Sequence, residues 1–156
     1  MTAGVGARIK VKLGGWIDPV FSDTPIEAEA EVIRLSDGAY IHDGPYAPGT
    51  RGSFGASALL RIGAIDIIVS TENKNIVDQQ QFKIFGIDPA SRAVVALKCM
   101  HGFRAAFAPV AAQIVSCDAG GLTTYDYSRL PFQNLRRPIW PLDVMESDVP
   151  TPPRPV

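Results

Sequence analysis

Lys98, His101 and Arg104 come nearest, in type and spacing, to residues that could do chemistry; they fall together in the stretch LKCMHGFR. A lysine, an imidazole and a guanidinium gathered in one place can hold a carboxylate or a phosphate. Arg offers a planar fork of donors, and Lys a compact mobile charge. Their setting strengthens this reading. An apolar run, AVVAL (93–97), precedes the loop Cys99–Gly102, and a short helix is expected from Phe103 to Val110. Backbone N–H groups at a helix start have no partner inside the helix and attract anions. The plainer alternative is that Lys98 and Arg104 pair with nearby acids while His101 sits at the surface.

Other constellations are weaker. Cys99 and His101 suggest a thiol with a base, but residues two apart in a loop seldom reach the required geometry, and no orienting acid is evident. His42 and Asp43 could each ligate a metal, yet neighbours on a strand point to opposite faces. With two histidines, two cysteines, no HExxH and no CxxC, the chain is not expected to build a zinc site of its own. Gly49, Gly52 and Gly55 surround Thr50, Arg51 and Ser53, but no Gly-Lys-Ser/Thr follows, so Pro48–Gly55 reads as an irregular loop rather than a phosphate cradle. Asp18 and the pair Arg136–Arg137 are further polar candidates.

The elements that must position these groups are mostly strands. Ala7 to Leu13 alternates apolar and basic residues, the mark of a half-buried strand. Ile26 to Leu35 alternates with Glu27, Glu29 and Glu31, until Val32 and Ile33 break the period in the manner of a β-bulge. Three bases on one strand and three acids on the other predict antiparallel neighbours, the alternative being two separately solvated faces. Ser36–Gly38 is a turn, Ala39–His42 a short strand and Asp43–Pro45 another turn. Ala58–Ile62 and Ile65–Ser70 flank Gly63–Ala64, the composition of a type II′ hairpin. Asp78 with Gln81 three residues later opens a helix over Gln79–Phe85, with Phe82 and Phe85 inward and Gly86 closing it. Asp88–Ala90 is a turn leading to 93–97, read as a strand buried on both faces, and Gln113–Asp118 reads as a further strand. Ala119–Asn134 reads as loop, and Leu135–Asp143 as extended and anchored by Ile139 and Trp140. Val144–Val156 is an acidic, proline-rich tail expected to be disordered.

Composition narrows the function classes. One hundred and fifty-six residues suit one domain with a real core, and a net charge of -1 gives no reason to expect nucleic acid or an acidic membrane as partner. No apolar run approaches a membrane span, and MTAGVGARIKVKLGG has no signal-peptide pattern. The expectation is a cytoplasmic protein with reduced thiols. The fold class is α+β: one domain over 1–143 with a mixed, mainly antiparallel sheet of about six strands and two or three short helices.

Four stretches carry a resemblance. Ala3–Pro19 (AGVGARIKVKLGGWIDP), Val32–Gly38 (VIRLSDG), Phe85–Pro109 (FGIDPASRAVVALKCMHGFRAAFAP) and Leu135–Asp143 (LRRPIWPLD) together resemble the C-terminal region of MlrC-type metallopeptidases, named for an enzyme that degrades linearised microcystin. The resemblance implies a zinc-dependent peptidase of which this chain is the C-terminal portion, N-terminally incomplete. Its metal ligands and catalytic acid would belong to a larger N-terminal domain, so no catalytic or metal residue is carried over here. Zinc is implied only for that other domain, and an N-terminal metallopeptidase domain or subunit and a peptide substrate are the implied partners. A homo-oligomer is compatible with this. The family often reads KSxxHFRA where this chain has KCMHGFRA, so Gly102 stands at the family's His and His101 lies one place earlier. Lys98, Phe103 and Arg104 match in position, and with His101 and Asp18 they are the candidate substrate-binding residues. The alternative is a non-catalytic ligand-binding or assembly module.

Overall fold

The computed structural model describes residues 3–15, 24–118, 124 and 126–143; Asp18 and the tail 144–156 lie outside them. The chain forms two compact units: Met1–Leu13 with Pro25–Val115, and Gly14–Thr24 with Ser116–Val156.

In the first unit β1 (Arg8–Leu13), β2 (Ile26–Ser36), β5 (Ser57–Ile62) and β6 (Ile65–Ser70) make an antiparallel sheet in the order β1-β2-β5-β6. Period two decides β1 and β2. Register places Arg8 opposite Glu31, Lys10 opposite Glu29 and Lys12 opposite Glu27, as the charge pattern predicts. Lys12 Nζ lies 2.6 Å from Glu27, and Arg8 reaches diagonally to Glu29 at 3.7 Å. The expected bulge falls between Val32 and Arg34. The β5–β6 hairpin turns at Gly63, whose φ of 58° is positive while Ala64's is not, as a type II′ turn requires.

A small hairpin of β3 (Ala39–Ile41) and β4 (Arg51–Ser53) is inserted between β2 and β5. The sequence reading of Pro48–Gly55 as loop is thereby corrected. Gly52 faces Tyr40 across this hairpin, and a Cβ there would meet the Tyr40 ring at 2.4 Å. The glycine serves to seat an aromatic ring flat across the strand rather than to loosen a loop. Tyr40 then joins Phe54, Leu59, Phe85 and Ile87 in one core cluster, while Ala30, Val32 and Leu60 centre a second. Adjacent Leu59 and Leu60 belong to different clusters, so the sheet is apolar on both sides there.

The helices are single turns. The first, α1 (Gln80–Lys83), ends as expected: Gly86 has φ 76°, and Ile87 N–H donates to the Phe82 carbonyl at 3.3 Å in a Schellman closure. The second, α2 (Arg104–Phe107), continues as a 3₁₀ turn to Val110.

Two expected strands are absent. Residues 93–97 and 113–118 form no ladder, and Val94 is 84% exposed. Neither stretch hydrogen-bonds to a strand among the described residues, and composition alone cannot supply the ladder that makes an apolar run a strand. In the second unit, the expected extended stretch Leu135–Asp143 ends in a turn, where Asp143 N–H donates to the Ile139 carbonyl at 2.9 Å. Asp143 binds Arg137 through both guanidinium arms and accepts from Ile139 N–H at 2.6 Å, while Trp140, expected to anchor it, is exposed.

Candidate functional site

The start of α1 is built as the Asp78/Gln81 spacing demands. Asp78 Oδ1 accepts from Gln80 N–H at 2.8 Å, and Gln81 Oε1 reaches back to Asp78 N–H at 3.0 Å and Val77 N–H at 2.8 Å. This is a reciprocal capping box with Asp in the serine's role. Its two side chains are the most deeply buried large ones described, at 0% and 1% exposure.

Burial of such groups is tolerable only if each polar atom is satisfied. Asp78 Oδ2 accepts from Gly44 N–H at 2.7 Å, Asp43 N–H at 3.1 Å and His42 Nδ1 at 3.3 Å. Gln81 Nε2 donates to Tyr40 Oη at 3.1 Å and the Asn75 carbonyl at 3.0 Å. The Asp43 carboxylate takes the Gln80 amide, and Gln79 Nε2 donates to the Ala106 carbonyl of α2 at 2.7 Å. One polar knot therefore ties the end of β3, the 43–44 turn, α1 and α2. Gly44 is needed there, since a Cβ would stand 2.9 Å from Asp78 Oδ2.

Burial pushes the Asp78 carboxyl up, but the hydrogen bonds from Gln80, Gly44, Asp43 and His42 outweigh it and hold it below the ordinary carboxylate range. An ionised carboxylate can only accept, so His42 must carry its proton on Nδ1. The sequence reading missed this contact, which spans thirty-six positions. His42 and Asp43 do not act as a ligand pair; each is engaged separately with the start of α1.

Lys98, His101, Phe103 and Arg104 lie on the segment seated over this knot. Gly102 packs on Val77, where a Cβ would meet Val77 Cγ1 at 2.8 Å, so the position the family often gives to His leaves no room here. Lys98, His101 and Arg104 are exposed. The Arg104 guanidinium lies 5.4 Å over the Phe103 ring, a cation–π pair between consecutive residues. Neither Lys98 nor Arg104 pairs with an acid among the described residues. The expected help from free helix N–H groups is withdrawn. The α2 helix has one turn, and Arg104 N–H is already given to the His101 carbonyl at 3.1 Å. The Cys99 thiol makes no hydrogen bond with the described residues, so it has no imidazole base. Asp18 lies outside the described residues, and Arg137 is committed to Asp143.

No group of three His, Cys, Asp or Glu side chains gathers among the described residues in a way that would hold a metal ion. Among them, too, no helix is long and apolar enough to cross a membrane.

The family model described as MlrC C-terminus matches residues 1–134. Microcystinase C of Sphingomonas sp. is 21% identical over 90% of this chain, which spans 26% of that protein. The crystal structure of a "Putative metallopeptidase" from Mesorhizobium sp. BNC1 superposes on 92% of the chain with a TM-score of 0.79 and 30% identity, and the chain spans 28% of it. The chain thus covers about a quarter of the length of these relatives, and it belongs to the MlrC C-terminal domain family.

Proposed function

We propose that this chain is the C-terminal, non-metal-binding portion of an MlrC-like zinc metallopeptidase. It packs against an N-terminal catalytic domain or subunit and lines one wall of the substrate cleft. The observation that carries this is the family match over residues 1–134, in a chain with about a quarter of its relatives' length. Zinc bound in the other domain would polarise a peptide carbonyl and activate water. The residues of this chain bind and orient: Lys98 and Arg104, exposed and unpaired with any described acid, take a carboxylate of the peptide, and Phe103 holds the guanidinium in place. His101 adds a donor beside them. The rival reading is a ligand-binding or assembly module with its own pocket. The surface between Arg8, Glu29, Glu31 and Arg61 offers only an open depression for it, and the exposed Val94 and Val115 speak for the first reading.

The test has two arms. Dialysed alone, the chain should retain no stoichiometric zinc and cleave no peptide. Added to the separately produced remainder of the Mesorhizobium relative, it should restore cleavage, and Lys98→Ala with Arg104→Ala should raise KM about tenfold with little change in kcat. Tight zinc held by the chain's own side chains, with turnover, overturns the reading.

A further inference from the structure

Residues 93–99 have the composition of a strand and the surroundings of none. Ala93, Val94, Val95, Ala96 and Leu97 are an apolar, partly β-branched run. The chain enters it with Arg92 in extended conformation, φ -100° and ψ 140°. From Val94 onward burial alternates: Val95, Leu97 and Cys99 are half-buried, and Val94, Ala96 and Lys98 are exposed. That is the pattern of a strand with one face laid on its own domain. Yet no residue from Ala93 to Cys99 makes a hydrogen bond with the described residues. The stretch 112–115 repeats the signature: Ala111 is extended at φ -96° and ψ 127°, Val115 is 70% exposed, and no hydrogen bond to the described residues follows the one from Ala111 N–H.

An apolar segment whose N–H and C=O groups take no partner among the described residues offers a template for strand pairing, which soluble proteins rarely leave bare. The occupant follows from the lengths. A relative superposes on 92% of this chain while carrying about three-quarters of its own length outside the match. The backbone path is therefore one that also exists in a much larger protein, where further strands are available.

We infer that residues 93–99 are an interface strand, completed by main-chain pairing with a strand from the N-terminal metallopeptidase portion that the relatives carry. This rests on the proposed function and adds to it the means by which the two portions join. Backbone pairing supplies affinity and register; Val94 and Ala96 bury their side chains against the incoming strand. Lys98, next in line, is thereby carried to the boundary with the catalytic portion.

Hydrogen–deuterium exchange tests this on two proteins as they exist. In this chain alone, amides of 94–98 should exchange at unprotected rates, while those of β5 are slow. In the whole Mesorhizobium relative, the aligned amides should be protected by about 100-fold or more, and proline at the position aligned with Val94 should abolish that protection. Slow exchange in this chain alone overturns the inference, as does fast exchange in the whole relative. Protection in this chain that rises with its own concentration assigns the strand to a second copy and overturns the stated occupant. Fast exchange in a relative that still cleaves peptide removes the pairing but leaves the proposed function. A whole relative with no peptidase activity removes the function, whatever the exchange shows.

Discussion

Asp78 and Gln81 are polar and 0% and 1% exposed, whereas Val94 is apolar and 84% exposed. Both invert the usual partition between interior and surface, and such inversions carry more information than the residues that obey it. The polar pair is buried because every donor and acceptor around it finds a mate within the unit. The valine is bare, and no described residue hydrogen-bonds to its backbone. Burial here tracks which partners are within reach rather than hydrophobicity alone.

The hardest way to strain the comparison is to remove the acceptor from the polar knot. Asp78→Ala would leave the N–H groups of Gln80, Gly44 and Asp43, and His42 Nδ1, facing an apolar methyl. The expected cost is about 3–5 kcal/mol, the range for stripping one partner from a buried charged network. Urea unfolding should show the midpoint falling with an unchanged slope. The same group gives a pH signature. Its folded-state carboxyl titrates below the unfolded value, so the unfolded chain binds more protons in acid. Stability is therefore fully present above about pH 4 and lost as pH falls toward the depressed value. Asp66 adds to this with the same sign, its carboxyl held low by the Arg61 hydrogen bond and by Arg92 against a smaller desolvation. Asp78→Asn should flatten the acid limb of a plot of stability against pH.

Next in size is the seat of the candidate substrate loop. Gly102→Ala puts a methyl 2.8 Å from Cγ1 of the buried Val77, an overpacking worth about 1–3 kcal/mol. Adding Val77→Ala should recover part of the loss, and the non-additivity measured in the double-mutant cycle checks the contact. Smaller still is the exposed ladder of β1 and β2. Lys12→Ala should cost less than about 1 kcal/mol despite the 2.6 Å contact with Glu27, because both side chains are more than half exposed, and the difference should fade at 1 M salt.

What was legible in the sequence was what is local. The β1 and β2 alternation, the slip at Val32–Ile33, the Gly63–Ala64 hairpin, the Asp78/Gln81 box and the Gly86 cap are each decided within a few residues, and each stands in the structure. Illegible were features whose cause lies far along the chain. Gly52 belongs to a strand only because Tyr40 of β3 lies over it. His42 matters only because Asp78, thirty-six positions on, turns its carboxylate toward it. Of the candidate site, the cationic residues and their exposure were readable, and Gly102's tight fit against Val77 was not. The run 93–97 is a different case. Its composition predicted a strand buried on both faces, and the structure has neither the strand nor that burial, because composition says nothing of whether a partner is at hand.

The smallest expected effect is the sharpest test of that distinction. Val94→Ser in this chain should change unfolding free energy by no more than about 0.5 kcal/mol, as for surface substitutions without special contacts. A valine at 84% exposure has almost no transfer free energy to lose, whereas burying one fully is worth about 1.5–3 kcal/mol. Leu60→Ala in the second core cluster, at 4% exposure, supplies the contrast within the same compact unit and should cost about 2–5 kcal/mol. A loss above 1 kcal/mol for Val94→Ser would mean that the segment is already packed in the isolated chain. The opposition between a satisfied polar knot and a bare apolar segment would then fail. A neutral result here, with a loss of core size when serine replaces the residue aligned with Val94 in the whole Mesorhizobium relative, would place the missing contacts in the part of the relatives that this chain does not span.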